Sequence, residues 1–299
     1  MVVAVTATTM QDGRWRAIAL APVTVIFLAM SVLPVLNLVV MSVHDISWTG
    51  GRSVWNSAGL THYRRLAEDT LLHAGIWNTL VFSVAAVSVQ IVLGFLLAWA
   101  VSRIGRGRLL YRTIFILPIL VPGILIGAIW KLMLNFDFGL ANALLEALGG
   151  EPRDWLGTRA LALPSVILVD VWHWTPFCFL LLLAGFESLP QEVMEAARVD
   201  GAGVWGELRH VLIPMMMPVI VVTFMFRFVS SLKVFDEIYL LTGGGPGSAT
   251  EVISYTIYRT FFTQDRMGYG SAMSIAVLFG IAIAIAAALA AARRNGGRS

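Results

Sequence analysis

Asp170, His173 and Trp174 interrupt a long apolar stretch with side chains that could bind a ligand. They are three and four positions apart, so they share one face if the stretch is helical. Carboxylate and imidazole groups can form hydrogen bonds with hydroxyl groups, and an indole ring offers a flat apolar face for stacking with a polar N–H at its edge. Because an ionisable group inside a membrane segment is by default a candidate functional residue, the spacing predicts a ligand-facing patch.

The next apolar stretch carries a second polar face, formed by Arg227, Ser230 and Ser231 at helical spacing. The Arg227 guanidinium could neutralise the Asp170 carboxylate across a helical bundle, as a structural, gating or ligand-facing pair. The other interpretation is that the tryptophans belong to an interfacial belt and that the ion pair is only structural. The candidates for a ligand pathway are Asp170, His173, Trp174, Arg227, Ser230 and Ser231.

The composition is that of a membrane protein. Hydrophobic residues make up 58% of the 299 residues and charged residues only 13%, against roughly a quarter in average soluble proteins. The net charge of +3 comes from basic residues that flank apolar stretches, so a nucleic-acid partner is not predicted. The single cysteine, Cys178, cannot form a disulfide within the chain and is expected to be a small buried side chain. The sequence predicts an all-α integral membrane protein in contact with lipid.

Six apolar windows are long enough to be helices that cross a bilayer core of about 30 Å. The third window is the shortest and contains Pro118 and Pro122. The windows cover residues 17–41, 76–101, 113–130, 161–186, 211–234 and 271–292. Together they predict a membrane domain from 17 to 292, with tails at 1–16 and 293–299.

Arginine residues cluster in the two tails and in the short loop 102–112. Because short cytoplasmic loops are enriched in arginine and lysine, both termini are predicted to be cytoplasmic. Residues 188–214 then form a cytoplasmic loop between the fourth and fifth spans.

The outer loops have local patterns of their own. They are predicted at 42–75, 132–160 and 235–270. The second contains GLANALLEALGG, whose apolar spacing predicts a short surface helix. The third contains TGGGPG, which is a turn signal.

The sequence contains none of the common patterns for catalysis or nucleotide binding that we considered. A phosphate-binding loop of the Walker type needs a lysine after a glycine, and neither Lys131 nor Lys233 follows one. The patterns HExxH, CxxC and GxSxG are absent, and the five histidines are scattered. We therefore predict no catalytic residues, no metal site and no cofactor in this chain.

The loop 188–214, SLPQEVMEAARVDGAGVWGELRHVLIP, is polar and rich in small residues. Ala196 and Ala197 form a face with almost no side chain, which lets another surface approach closely. Glu195 beside them can make a charge-assisted contact, and the glycines that follow allow a tight turn. These features predict two helices joined by a turn on the cytoplasmic surface. The residues alone leave open whether the loop is a docking element or a plain connection.

The loop 188–214 resembles the EAA loop of ABC importer permeases. The triplet EAA is followed after three residues by a glycine and after nine more by Val-x-Ile-Pro, where family members usually have Ile and Leu for the Val and Ile. The tripeptide Asp200-Gly201-Ala202, which contains this glycine, resembles the EAA loop of the carbohydrate branch of the family. The matching residues are Glu195, Ala196, Ala197, Asp200, Gly201 and Ala202.

Other stretches extend the resemblance from about residue 17 to the C-terminus. GLTHYRRLAED and NTLVFSV look like the first outer loop and second span of sugar permeases, and VWHWTPF looks like their fourth span. Residues 235–262 look like the outer loop of the maltose-type first permease of a heterodimeric pair. The candidates there for contact with a binding protein are Gly243, Gly244, Gly245 and Pro246. The alternative is a loop that folds only on its own chain.

The resemblance implies a six-helix type I importer permease in the bacterial cytoplasmic (inner) membrane. A second homologous permease would pair with this chain, and two ATP-binding subunits would carry ATP and Mg. A solute-binding protein or lipoprotein would deliver a sugar from outside. The loop 188–214 would be the coupling helix, in which Glu195 pairs with a basic group of the ATPase and Gly201 sets the turn. The chain would then be a transport subunit without an ATP site, and not an enzyme.

Alternatives remain open at this point. The substrate could be a mono-, di- or oligosaccharide, or the same machinery could import a polyol or a glycerol phosphate. An ATP-independent secondary transporter is a rival, although it would be expected to have an internal repeat and more membrane acids. The second rival is a membrane scaffold, in which the loop 188–214 is only a binding module.

Overall fold

The computed structural model describes residues 9–296, and it is mostly helical. The chain divides into two units: residues 9–68 together with 257–296 form one, and residues 69–256 form the other. The helices of the first unit are α1 (Thr9–Ser42), α2 (Thr61–Leu66) and α13 (Met267–Gly296). The helices of the second unit are α3 (Thr70–Ser102), α4 (Arg108–Ile116), α5 (Gly123–Met133), α6 (Leu140–Ala147), α7 (Arg159–Glu187), α8 (Gln191–Val199), α9 (Val204–Glu207), α10 (Ile213–Ser231) and α11 (Asp236–Leu241). The short helix α12 (Ile253–Tyr258) spans the division between the units.

The first unit contains a β-hairpin, which corrects the prediction of an all-α chain. Strands β1 (His44–Thr49) and β2 (Arg52–Ser57) pair antiparallel, from His44 opposite Ser57 to Thr49 opposite Arg52. The two residues between them, Gly50 and Gly51, both have positive φ. A two-residue turn with positive φ at both positions matches the twist of a hairpin, and glycine adopts it without strain. The Gly-Gly pair was therefore the available signal within the predicted loop 42–75.

Helices α1 and α13 of the first unit pack against each other, and α13 also contacts α2 and β1. The apolar part of α1, Ile18–Ser42, has none of its most apolar 18-residue window buried within the chain. Such a helix, apolar on all sides and without buried residues in that window, is suited to a lipid environment.

The second unit is organised around α3 and α7, with α10 against both. Helix α3 begins at Thr70 because the Asp69 carboxylate accepts hydrogen bonds from the backbone N–H groups of Leu71 and Leu72, at 3.0 and 2.9 Å. Cys178 of α7 is fully buried among apolar side chains, which confirms its prediction as a small core residue. The tight α3–α7 packing positions the polar residues of both helices.

The third apolar window, 113–130, is not one straight helix. The helical segment Arg108–Leu120 is followed after a break by Gly123–Met133, and the two are bent by 91°. Pro122 lies in the break and Val121 before it is extended, with φ −84° and ψ 128°. A residue that precedes proline is driven out of the helical conformation by a steric clash, so Pro122 explains the bend.

Four helical segments in the described residues are long and apolar enough to cross a membrane, or five if the bent pair is one span. They are Ile18–Ser42, Thr70–Ser102, Arg159–Glu187 and Val204–Ser231, with Met267–Ile283 as a shorter apolar helix. A chain with several apolar spans is thereby confirmed, whereas the count of six stays a prediction. Helix α6 confirms the short helix predicted in the outer loop 132–160.

The close approach of α3 and α7 depends on Gly94. A Cβ atom added to Gly94 would lie 2.9 Å from the backbone N of Phe179 and from the Cβ of Cys178. We expect Gly94→Ala to lower the free energy of unfolding by about 1–3 kcal/mol, because the two helices would have to separate. Thermal unfolding of the detergent-solubilised protein measures this.

Gly280→Ala is the matched control for this substitution. Gly280 is also helical and has no atom within 4 Å of the added Cβ. Its replacement is therefore expected to leave the unfolding midpoint unchanged or to raise it slightly. Equal destabilisation by the two substitutions would contradict the importance of the Gly94 contact.

Candidate functional site

A buried ion pair joins α7 and α10 inside the second unit. The Arg227 Nη2 atom lies 2.8 and 2.7 Å from the two carboxylate oxygens of Asp170. The two side chains are only 3% and 2% exposed. This confirms the predicted pairing of Asp170 with Arg227, while the functional role of the pair stays a prediction.

Gln90 of α3 adds a third helix to the pair. Its Nε2 atom donates hydrogen bonds to the Asp170 carboxylate at 2.7 Å and to the Asp170 backbone carbonyl at 3.0 Å. Gln90 is fully buried, although the sequence places it among apolar residues without an obvious partner. In the sequence, the only sign of a role for Gln90 is that it is a polar residue within the apolar span 76–101.

Trp174 covers the cation of the pair from one side. The Arg227 guanidinium carbon lies 4.8 Å from the centroid of the Trp174 ring, within the range of a cation–π contact. The His173 ring is 5.0 Å from the Trp174 ring. The three residues predicted to share a face of α7 are thus brought together, with Arg227 against them.

His173 has a second partner that the sequence did not predict. Its Nδ1 atom lies 3.2 Å from the Oε1 atom of Glu237, and both side chains are nearly completely buried. Glu237 belongs to α11, which packs against α5 and α7; the sequence predicts only that it lies in the outer loop 235–270. The acid beside it, Asp236, is more exposed, and partial burial and the Glu237 carboxylate raise the pKa of its carboxyl.

These side chains line a cavity of about 240 Å³. Five of the six pathway candidates contribute to it, because Asp170, His173, Trp174, Arg227 and Ser230 all line its wall. Ser231 does not line the cavity; its hydroxyl donates to the Phe228 carbonyl at 2.8 Å. The lining further includes Lys233, Asp236 and Glu237. Carboxylates, cations and an indole ring around one space can form hydrogen bonds with a hydroxyl-rich ligand and stack on its rings.

The loop 188–214 has the predicted form of two helices joined by a turn. Helix α8 ends at Val199. After the turn, α9 and α10 are joined by the π-helical residues Leu208–Leu212 into one continuous helix, Val204–Ser231. Gly201 has φ +80°, a left-handed conformation that favours glycine. The backbone N–H groups of Asp200 and Ala202 donate to the carbonyls of Ala196 and Ala197, at 2.9 and 3.0 Å, and so close the end of α8.

The surface of the loop 188–214 is open to a partner. Glu195 and Ala196 are exposed, and Ala197 is half-buried. Trp205, just after the turn, is 80% exposed. No ion pair involving the Glu195 carboxylate occurs among the described residues, so this small-residue face carries an available negative charge.

The glycine-rich segment 243–247 folds onto its own unit. Gly243 and Gly244 both have positive φ, and the Thr250 hydroxyl donates to the Gly245 carbonyl at 2.7 Å. The Asn78 side chain of α3 donates to the carbonyls of Ser248 and Glu251, each at 2.9 Å. These bonds favour the alternative of a loop packed on its own chain. Contact of Gly243, Gly244, Gly245 and Pro246 with a binding protein stays a prediction.

Within the part of the chain that the structure describes, no group of three or more His, Cys, Asp or Glu side chains could hold a metal ion. The candidate site consists of the buried ion pairs, the cavity that they line and the exposed loop 188–214.

Comparison with known proteins gives concordant matches. Residues 90–296 match the family described as "Binding-protein-dependent transport system inner membrane component". The chain is 36% identical over 266 residues to the trehalose/maltose transport system permease protein MalF of Thermococcus litoralis, covering 89% of each chain. It is 29% identical to a probable starch degradation products transport system permease protein, AmyD of Thermoanaerobacterium thermosulfurigenes, covering 91% of this chain and 92% of that protein.

Two solved structures share the fold. One chain of a bacterial ABC transporter involved in the import of the acidic polysaccharide alginate aligns with a TM-score of 0.81 at 24% identity, over 95% of this chain and 96% of that one. A chain of an alginate ABC transporter in complex with a pentasaccharide-bound periplasmic protein aligns with a TM-score of 0.75 at 23% identity, over 88% and 89%. The resemblance indicated by the loop 188–214 is confirmed, and the chain belongs to the family of inner membrane components of binding-protein-dependent transport systems.

Proposed function

We propose that this chain is the membrane-spanning permease subunit of an ATP-driven ABC importer that moves a sugar across the cytoplasmic membrane. One observation carries the proposal: the continuous helix Val204–Ser231 connects the exposed loop 188–214 to the buried cavity around Arg227. A transport subunit that is driven by separate ATP-hydrolysing subunits needs a docking surface for them and a polar cavity for the substrate. This helix has the first at one end and the second at the other. The chain then supplies the pathway, and separate subunits supply the ATP hydrolysis.

A sugar is the substrate class that the cavity favours. Its carboxylates accept hydrogen bonds from hydroxyl groups, and Trp174 offers a ring for stacking. The relatives named for trehalose and maltose, for starch degradation products and for multiple sugars support the same class. The proposal covers mono-, di- and oligosaccharides.

The membrane arrangement that we propose has six spans and both termini in the cytoplasm. The four long apolar helices, the bent pair Arg108–Leu120 with Gly123–Met133, and the apolar helix that starts at Met267 together give six. The arginines of loop 102–112 and of the tails then lie on the cytoplasmic side with the loop 188–214.

The proposed partners follow from the exposed surfaces and the family. A homologous permease pairs with this chain, and two ATP-binding subunits hold ATP and Mg and receive the loop 188–214. On the loop, Glu195 meets a basic group while Ala196 and Ala197 allow close approach. A solute-binding protein or lipoprotein delivers the sugar from outside, and Gly243 to Pro246 remain candidates for touching it.

Transport in this arrangement alternates access to the cavity between the two sides of the membrane. Closure of the ATP-binding subunits displaces the loop 188–214, and the helix Val204–Ser231 carries the displacement to Arg227. Because Arg227 is bonded to Asp170 on α7, movement of one helix acts on the other. The pair thereby links opening of the cavity to the state of the ATP-binding subunits.

Reconstitution tests the proposed function. The chain is co-expressed with the homologous permease and ATP-binding subunits of its own cell, purified as a complex and placed in vesicles with the binding protein. We expect sugar uptake that requires ATP and ATP hydrolysis that rises when sugar-loaded binding protein is added. Undiminished uptake without ATP would instead support a secondary transporter, and a complex with neither activity would support a scaffold.

The turn at Gly201 gives a specific prediction. We expect Gly201→Asp to impair binding of the ATP-binding subunits or to reduce uptake per ATP by about tenfold, since the left-handed turn and the small surface are both disturbed. Co-purification and uptake assays in vesicles measure the two effects.

Gly203→Asp is the control for the charge and size of the new side chain. Gly203 lies two residues away, has an ordinary φ of −67° and has no atom within 4 Å of an added Cβ. It is expected to affect coupling much less. Normal uptake by Gly201→Asp at normal expression would contradict the role of the turn.

The buried pair gives a second prediction for the pathway. Asp170→Asn leaves the Arg227 charge buried without its counter-ion, so we expect a loss of about 3–5 kcal/mol in the free energy of unfolding. The double variant Asp170→Asn/Arg227→Gln removes both charges and should recover much of that loss. Thermal unfolding in detergent measures the stabilities of both.

The same variants separate a pathway role from a structural one. If the pair lines the pathway, the concentration dependence of uptake stays altered in the stable double variant, while the ATP-binding subunits still co-purify. Ser231→Ala, which changes a side chain outside the cavity, is the control. Wild-type uptake kinetics in the double variant would show that the pair is only structural.

A further inference from the structure

Arg103 and Glu207 form an ion pair where the end of α3 meets the helix that leaves the loop 188–214. The Arg103 Nη2 atom lies 2.9 Å from the Glu207 Oε1 atom. The Glu207 side chain is only 4% exposed and that of Arg103 is 35% exposed. The Arg103 guanidinium carbon also lies 4.8 Å from the centroid of the Trp99 ring, one turn earlier on α3. A carboxylate this deeply buried depends on a nearby cation, so the two helices are held together at this point.

A second ion pair lies beside a cavity that both pairs line, and its carboxylate is 33% exposed, against 4% for that of Glu207. The cavity has a volume of about 700 Å³, and its wall includes Arg103, Glu207 and, from the loop 188–214, Glu195. Arg108 and Glu187 also line it, with an N–O distance of 3.4 Å and side chains 38% and 33% exposed. Exposed ion pairs of this kind contribute little because water screens them, so the two pairs should differ in importance.

Glu207 lies on the helix that connects the loop to the cavity around Arg227. It comes six positions after Gly201 and twenty before Arg227, which is about 30 Å along a helix. Directly after Glu207, the residues Leu208–Leu212 form a π-helical turn. Pro214 follows and lacks a backbone N–H, so the hydrogen-bond ladder is interrupted in this region. This stretch just after Glu207 should therefore bend more easily than a regular α-helix.

Helix α3 is connected to this helix at two levels. Near the loop, the direct contact is Arg103 with Glu207. Deeper in the unit, Gln90 of α3 donates to the Asp170 carboxylate, which in turn is bonded to Arg227. A displacement of the loop that reaches α3 through Arg103 bypasses the π-helical turn.

We propose that Arg103 and Glu207 are positioning residues for coupling, which transmit displacement of the loop 188–214 directly to α3. The proposal rests on the proposed function of that loop in receiving the ATP-binding subunits. With the pair intact, α3 and the helix Val204–Ser231 move together. Without the pair, bending at the π-helical turn Leu208–Leu212 takes up part of the displacement before it reaches Arg227.

The test uses the complete complex in vesicles and measures sugar taken up per ATP hydrolysed. We expect Arg103→Gln to lower this ratio by about fivefold while the ATP-binding subunits still co-purify in normal amount. Glu207→Gln should act in the same way. Arg103→Lys keeps a cation at the position, and its ratio is expected to stay within about twofold of the unsubstituted complex.

Arg112→Gln is the matched control, because Arg112 pairs with the same Glu187 carboxylate, at 3.5 Å, and is 36% exposed, like Arg103. Its ratio should equal that of the unsubstituted complex. A normal ratio in both Arg103→Gln and Glu207→Gln would overturn the proposal. The proposal would also be overturned if Arg103→Gln and Glu207→Gln reduced uptake, hydrolysis and co-purification equally and Arg103→Lys showed the same loss. That result would indicate a structural role only.

The unsubstituted complex separates this proposal from the one on which it rests. If it shows no ATP-dependent uptake, the proposed function itself fails, and this is seen before any variant is made. If it does, a changed ratio in Arg103→Gln with retained hydrolysis supports the coupling role of the pair.

Discussion

The bond between Asp170 and Arg227 is the constraint on which the second unit depends. Both side chains are almost completely buried, and a buried ion without a partner is far less stable than the same ion in water. Helices α7 and α10 must therefore stay within hydrogen-bonding distance, and Gln90 holds α3 to the same carboxylate. The packing of the three helices cannot be changed without accommodating these charges.

Because of this constraint, the proposed substrate pathway and the proposed connection to the ATP-binding subunits share the helix Val204–Ser231. The cavity of about 240 Å³ is lined by Asp170 and Arg227 themselves, and the helix of Arg227 starts at the exposed loop 188–214. The buried contact of Arg103 with Glu207 connects α3 to that helix again, close to the loop. In the proposed function, these polar contacts connect the loop 188–214 to the cavity, so events at the loop can reach the cavity.

Local patterns predicted much of this arrangement but missed the sharp bend at Pro122 and the burial of Glu237. Helical spacing correctly brought His173 and Trp174 beside Asp170, and the pairing with Arg227 followed from opposite charges in neighbouring spans. The bend at Pro122 was underestimated because a proline inside an apolar window is compatible with a kinked or a broken helix. The burial of Glu237 was not predicted, because an acid in a short polar segment has no periodicity that would indicate burial.

The sequence by itself determined that the chain is an apolar, mostly helical membrane protein, where its main helices lie, and which family its loop resembles. These properties depend on composition and on residues a few positions apart, so they can be inferred without knowing which helices touch. Only the tertiary structure decided that Gln90 meets Asp170, that His173 meets Glu237 and that Arg103 meets Glu207. Each of those contacts joins residues at least 64 positions apart in the sequence and depends on the faces that the packed helices present to one another.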